Sequence, residues 1–175
     1  MEEINPAHIY HWYAVYVKSR AEKKAEFDLQ ISGIETFLPL QRKLRQWSDR
    51  KKIVEIPLIP GYLFVRVSRK EYDAVLQSKH VVNYVRFERT AATIPDNQID
   101  YLKLMLKQDN LGIEITHETF ELGRKVEVIA GPMIGLQAKL VQIKGKDKVA
   151  IELEQIGYSA LIEIRKEDIQ LLEKV

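Results

Sequence analysis

Six cations, Arg42, Lys43, Arg45, Arg50, Lys51 and Lys52, fall within the eleven residues RKLRQWSDRKK, which contain one acid, Asp49, and the indole of Trp47. Such a density of positive charge can neutralise a phosphate backbone and release its counterions, while an indole can stack on an unpaired base. The plainer alternative is a solvated loop whose charges meet only water. Other chemistry is not announced. There is no GxxxxGK phosphate loop, no GxGxxG fingerprint and no HExxH pair, which argues against nucleotide hydrolysis and zinc proteolysis. His8 and His11 are neighbours without a third ligand, and His80 and His117 are isolated, so surface histidines are the simpler reading. Glu152 and Glu154 have the spacing to share a strand face, and an exposed face explains them better than general acid–base catalysis. Nothing argues for a nucleophilic serine. The expectation is a non-enzymatic protein with no cofactor and no metal.

The elements that must position these groups are constrained first by size. A chain of 175 residues, 46% hydrophobic, holds one ordinary domain or two small ones with buried cores. It has no cysteine, which excludes disulfides, thiolate catalysis and cysteine-ligated metal sites. No apolar run approaches the roughly 20 residues of a membrane span, and MEEINPAHIYHW lacks the charge and hydrophobicity of a signal peptide, so the cytoplasm is the expected location. Residues 1–110 carry 18 basic and 14 acidic side chains, a net +4, and the remainder carries 9 and 11, a net −2. The two halves therefore suit different partners.

Residues 12–17, WYAVYV, are aromatic and β-branched and read as a largely buried strand. Ser19 and Glu22 have capping-box spacing for a helix that Gly33 can stop. The basic stretch then sits in a projecting hairpin or extended loop over about residues 40–58, followed by the strand YLFVRV. Ser68 and Glu71 repeat the capping-box spacing before a short helix with Tyr72, Val75 and Leu76 on one face. A strand over residues 82–87 and a helix from Asp96, with Ile99, Leu102 and Leu106 on one face, complete a mixed or antiparallel α+β sandwich. DNLGIEITHET lacks sustained periodicity and reads as a linker, giving domains at 1–110 and 120–175 with 111–119 between them. Beyond Phe120 the short runs VEVI, AKLVQI, VAIEL and ALIEI, separated by turns, predict a small all-β barrel.

WYAVYVKSRAEKK, PGYLFV and GRKVEVIAGPMIGLQAKLVQI, in this order and spacing, resemble the NusG family of transcription elongation factors over nearly the whole chain. That resemblance implies an N-terminal NGN-type sandwich and a C-terminal SH3-like KOW barrel. VKSRAEKK, QWSDRKK, PGYLFV and NYVRF look similar to the specialised UpxY- and RfaH-type paralogues, which accompany RNA polymerase through long operons; UpxY proteins serve capsular polysaccharide loci. The resemblance further implies adhesion to the polymerase clamp helices through an exposed apolar patch, with Tyr16, Ile59, Tyr62, Phe64 and Phe87 at matching positions. Aromatic anchors beside proline suit such a contact, and the alternative is that all five fill the core, a reading that weighs more for Phe64 and Phe87 than for Tyr16, Ile59 and Tyr62. Upstream or nontemplate DNA is the implied ligand of the basic stretch, and Lys18, Arg20 and Lys79 join it as candidates. Lys18 and Lys79 match basic positions that face the nontemplate strand in RfaH-type relatives, whereas Asp28 stands where those relatives have a base-reading histidine.

In the second domain Gly131, Pro132, Met133 and Gly135 match the KOW loop, where Pro fixes φ and Gly permits positive φ. Two residues depart from the family pattern: Ala138 replaces the usual glycine, and Met133 replaces the aromatic common after Gly-Pro. Met133 puts in doubt the contacts with ribosomal protein S10 or Rho known for the family, while still offering an adaptable apolar contact. The resulting expectation is a monomeric transcription antitermination or elongation factor. A housekeeping NusG coupled to Rho or the ribosome, and an RNA- or ribosome-binding KOW protein, remain the alternatives.

Overall fold

A computed structural model describes residues 9–47, 50–87, 89–108, 112–118, 120 and 123–172. In it the aromatic run becomes β1 (His11–Val17), followed by α1 (Glu22–Ile31), β2 (Glu35–Phe37), β3 (Leu40–Gln46), β4 (Lys51–Pro57) and β5 (Tyr62–Val67). Then come α2 (Tyr72–Leu76), β6 (Val81–Tyr84), β7 (Arg86–Phe87), β8 (Thr90–Ala91) and β9 (Thr93–Ile94). The main sheet has the order β2-β5-β1-β6, with β9 also on β1, and every ladder in it is antiparallel. Val15 and Val17 of β1 and Leu63, Val65 and Val67 of β5 bury one face of this sheet against Ala25 and Leu29 of α1 and Val75 of α2. Period-two alternation sends Trp12, Ala14 and Tyr16, with Tyr62 and Phe64, to the opposite face.

Helix α1 begins later than the Ser19–Glu22 spacing predicts. Arg20 takes a left-handed φ of 58°, the helix starts at Glu22, and no side chain caps it. Glu22 is buried and its carboxylate accepts the Gly61 N–H at 2.9 Å, so it serves the turn before β5 rather than its own helix. At the other end Gly33, at φ 78°, supplies the expected stop: Gly33 N–H donates to Gln30 C=O and Ile34 N–H to Leu29 C=O, the two bonds of a Schellman motif. At α2 half of the expected box forms. Glu71 accepts from both the N–H and the hydroxyl of Ser68, at 2.9 and 2.8 Å. Tyr84 is buried beneath α2 and donates its hydroxyl to Tyr72 C=O at 2.8 Å; burial pushes its pKa far above the tyrosine range, so it stays neutral.

The chain divides into two compact units, Met1–Asp96 and Asn97–Val175, with α3 (Asp96–Leu106) at the junction. Ile99, Leu102 and Met105 are the buried face of α3, with Met105 in place of the expected Leu106. The second unit continues with β10 (Glu114–Thr116), β11 (Arg124–Val128), β12 (Gln137–Ile143), β13 (Lys146–Leu153), β14 (Tyr158–Glu163) and β15 (Ile169–Leu171). These form one antiparallel sheet in the order β10-β14-β13-β12-β11-β15. The four predicted strands are its centre. Its edges correct two expectations: residues 114–116 of the expected linker are a strand, and among the described residues no ladder joins β10 to β15 to close a barrel. β13 ends at Leu153 and a 3₁₀ turn starts at Glu154, so Glu152 and Glu154 do not share a strand face. Glu152 instead pairs with Lys139 and accepts the Phe120 N–H at 3.0 Å.

Beyond its ladder to β14, β10 is tied to β13 by Glu114, whose carboxylate meets the buried Lys148 ammonium at 2.5 Å. That hydrogen bond holds the Glu114 carboxyl below its usual pKa. Its contribution to stability is complete above the ordinary glutamate value and is lost as pH falls through the lowered folded value. Glu114→Gln should therefore destabilise the protein at neutral pH by about 1 kcal/mol, well below the cost of breaking a fully buried pair because Glu114 faces solvent. Chemical denaturation at pH 7 and pH 3 checks this. The difference from the parent should shrink in acid, and an equal difference at both values would contradict the assignment.

Candidate functional site

The basic segment is a hairpin whose register sorts its charges. β3 and β4 pair without a slip from Leu40 opposite Pro57 to Gln46 opposite Lys51, and Trp47 N–H donates to Arg50 C=O at 2.8 Å across the turn. Asp49 lies outside the described residues. Directly opposed residues of an antiparallel ladder share a face. Lys43, Arg45 and Lys52 therefore lie on one face, which Trp47 and Arg50 continue at the turn. Arg42 and Lys51 lie on the other face with Glu55, where Glu55 meets Lys23 of α1 at 3.3 Å and Arg42 at 3.8 Å. That second face also exposes the cross-strand pair Leu44 and Ile53. The six cations expected to act together are thus divided. One face is cationic and aromatic with no carboxylate among its described residues, and the other is amphipathic and ion-paired. Arg45 stands directly opposite Lys52, a like-charge pair that costs stability until an anion approaches.

On the face of the sheet opposite α1 and α2, Tyr16 and Tyr62 are direct cross-strand partners, with ring centroids 5.0 Å apart and hydroxyls 3.5 Å apart. Tyr16 is exposed and Tyr62 half-buried, so this pair presents aromatic surface. The other three expected members do not join it in one exposed patch. Ile59 and Phe64 are fully buried. Phe64 sits opposite Ala14 and Phe37 and stacks on the Phe37 ring at 6.0 Å, while Ile59 belongs to the turn in which its C=O accepts the Tyr62 N–H. Phe87 is exposed, on the separate β7–β8 hairpin.

Lys18 and Lys79 come together because the Lys18 N–H donates to His80 C=O at 2.9 Å; both side chains are exposed, as is Arg20. Lys79 and His80 line an open cleft of about 600 Å³ with Lys23, Lys24, Phe27 and Asp28 of α1. Asp28 accepts from the Ser78 hydroxyl at 3.4 Å and faces His80 Nε2 at 3.8 Å. Lys23, Lys24 and Phe27 were not singled out in the sequence; the signal was the second half of KSRAEKK, whose helical spacing carries its charges onto the rim. In the second unit Gly131 and Gly135 take φ of 79° and 85°, as a Gly-Pro turn requires. Ala138 does not share that strain, because it is an ordinary residue of β12 paired with Val126. Met133 is buried and cannot be the adaptable contact expected of it; Ile134, 66% exposed, presents the apolar surface of the loop. Among the described residues no three His, Cys, Asp or Glu side chains are grouped to hold a metal ion. No helix among them is long and apolar enough to cross a membrane.

Residues 10–103 match the family model NusG, described as transcription termination factor nusG. The transcription termination/antitermination protein NusG of Chlamydia pneumoniae is similar to this chain, at 24% identity over 159 residues that cover 83% of this chain and 86% of the relative. Among solved structures, Thermotoga maritima NusG has a TM-score of 0.50 and 21% identity, covering 95% of this chain and 99% of its own; this likeness bears on the fold.

The sorted hairpin gives a prediction in which stability and binding move in opposite directions. Lys52→Glu places a carboxylate opposite Arg45, so the hairpin should gain a few tenths of a kcal/mol. The same change should weaken DNA binding several-fold and reduce the dependence of log affinity on log salt by about 1. Thermal denaturation and a salt titration of DNA binding check both arms, and unchanged affinity would remove the face from the binding surface.

Proposed function

This chain belongs to the NusG family, and we propose that it is a non-enzymatic transcription elongation and antitermination factor that binds RNA polymerase and suppresses pausing or termination. The observation that carries this reading is that one unit offers two surfaces of different chemistry. The exposed Tyr16–Tyr62 pair suits a protein docking contact, and the Lys43, Arg45, Lys52, Trp47 and Arg50 face suits nucleic acid. The first would seat on the polymerase clamp helices and the second on upstream or nontemplate DNA. Bridging both favours the closed, active polymerase over the open, paused one, and an extra affinity of about 1.4 kcal/mol for the active state shifts that equilibrium about tenfold. No covalent step is needed.

The same proposal takes the second unit as the SH3-like KOW domain of the family and as the seat of a further partner. The Met133 and Ala138 departures favour an operon-specialised paralogue of UpxY type over a factor that recruits ribosomal protein S10 or Rho. Similarity along most of both chains to a termination/antitermination protein favours the second reading, a housekeeping NusG. The cytoplasm is the proposed location in either case.

Tyr16→Glu combined with Tyr62→Glu should leave the fold intact, because neither ring is fully buried, and should weaken binding to cognate core polymerase at least about tenfold, or roughly 1.4 kcal/mol. Charged substitution at Ile59 would instead break the core. Polymerase affinity retained by a folded double variant would reject this surface. Binding of structured RNA without polymerase affinity would favour an RNA- or ribosome-binding KOW protein.

A further inference from the structure

Three arginines outside both surfaces converge on one open cleft of about 640 Å³: Arg69 from the turn before α2, Arg86 from β7 and Arg89 from the β7–β8 turn. His11, Tyr13 and Tyr72 also line it, and Asp73 is its one acid among the described residues. None of the three guanidiniums makes a hydrogen bond or an ion pair among the described residues. The aromatic floor is held firmly. Tyr72 stacks on Tyr84 with centroids 4.0 Å apart and planes 5° apart, and Tyr13 stands edge-on to both at 5.8 and 5.6 Å. Arg69 and Arg86 lie close enough to these rings to act on their hydroxyls: burial raises the Tyr13 and Tyr72 pKa, Arg69 opposes the rise at Tyr13, and Arg86 and Arg69 oppose it at Tyr72. Arg89 holds a φ of 72°, a backbone conformation that glycine adopts without strain.

Guanidiniums gathered around one space, with no ion pair among the described residues, repel one another unless an anion joins them. Their planar forks match phosphate or carboxylate oxygens in bidentate fashion. An acidic peptide would satisfy the arginines and leave the flat rings unused. A single-stranded nucleic acid uses both, with phosphates on the forks and a base against the aromatic floor. We propose that this cleft is a second nucleic-acid site, separate from the β3–β4 hairpin, which takes a short single-stranded segment. The proposal rests on the geometry of the cleft and does not depend on polymerase binding.

The test uses the full chain carrying Lys43→Gln, Arg45→Gln and Lys52→Gln to silence the hairpin face. Its probes are labelled oligo-dT and oligo-rU of about twelve nucleotides, with oligo-glutamate as the competing chemistry, read by fluorescence anisotropy across a salt series. Adding Arg89→Gly should weaken oligonucleotide binding about threefold; glycine adopts this positive φ without strain, so an unchanged melting temperature separates this loss from unfolding. Combining it with Arg69→Gln and Arg86→Gln should weaken binding at least about tenfold and reduce the salt slope by roughly 2, at about 0.7 per phosphate on a single strand. A preference for oligo-dT or oligo-rU identifies the strand and supports the site. No binding by the hairpin-silenced parent, unchanged affinity and slope in the triple variant, or tighter binding of oligo-glutamate would each overturn the proposal.

Discussion

The β1–β5 ladder, running from His11 opposite Val67 to Tyr16 opposite Tyr62, fixes what the first unit can present to a partner. Side chains on a strand alternate faces with a period of two, so a slip of one residue would carry Val15, Val17, Leu63 and Val65 off the face that packs on α1 and α2 and turn Tyr16 and Tyr62 toward those helices. The end of the ladder is pinned from both sides. Val17 N–H donates to Gly61 C=O at 2.9 Å, and the Gly61 N–H is in turn taken by the buried carboxylate of Glu22. One turn residue thereby joins the last residue of β1, the first of α1 and the approach to Tyr62. The exposed tyrosine pair, the basic rim on α1 and the central sheet are positioned by the same few bonds.

Around that frame the unit keeps its charges in arrangements that do not serve stability. Arg45 faces Lys52 on the hairpin, and Arg69, Arg86 and Arg89 share a cleft. Elsewhere the protein neutralises its cations: Lys23 and Arg42 meet Glu55, Lys139 meets Glu152, and Lys148 meets Glu114. The contrast is informative because like charges held together gain from an arriving anion, whereas paired charges must first lose a partner. Apolar surface is treated in a similar way. Phe64 and Ile59 are buried while Tyr16 and Tyr62, whose hydroxyls tolerate water, form the visible end of the same sheet face.

The strands were legible where the signal is local. WYAVYV, YLFVRV and the four runs beyond Phe120 carry enough β-branched and aromatic residues to declare themselves, and Gly33 marks the end of α1 by the positive φ it permits. What failed depended on partners distant in sequence. Glu22 looked like half of a capping box until its bond to Gly61 placed it elsewhere. Residues 114–116 are too short to read as a strand and become one only against β14. Ile59 and Phe64 have the same local character as Tyr62, and only the packing around them decides which is buried. The hairpin was visible as a density of charge, but its division into two faces needed the register. The arginine cleft was not visible at all, since its residues come from separate turns and strands that the fold alone brings together.

The most direct measurement is single-round transcription by the cognate bacterial polymerase on two templates, one with the native upstream leader and one with that leader scrambled, with and without this protein. A factor that docks through Tyr16 and Tyr62 and holds DNA along the hairpin should increase readthrough, and an operon-specialised one should do so only with the native leader. Equal readthrough on both templates would point to the housekeeping role. No change on either template, together with no polymerase binding, would contradict the account.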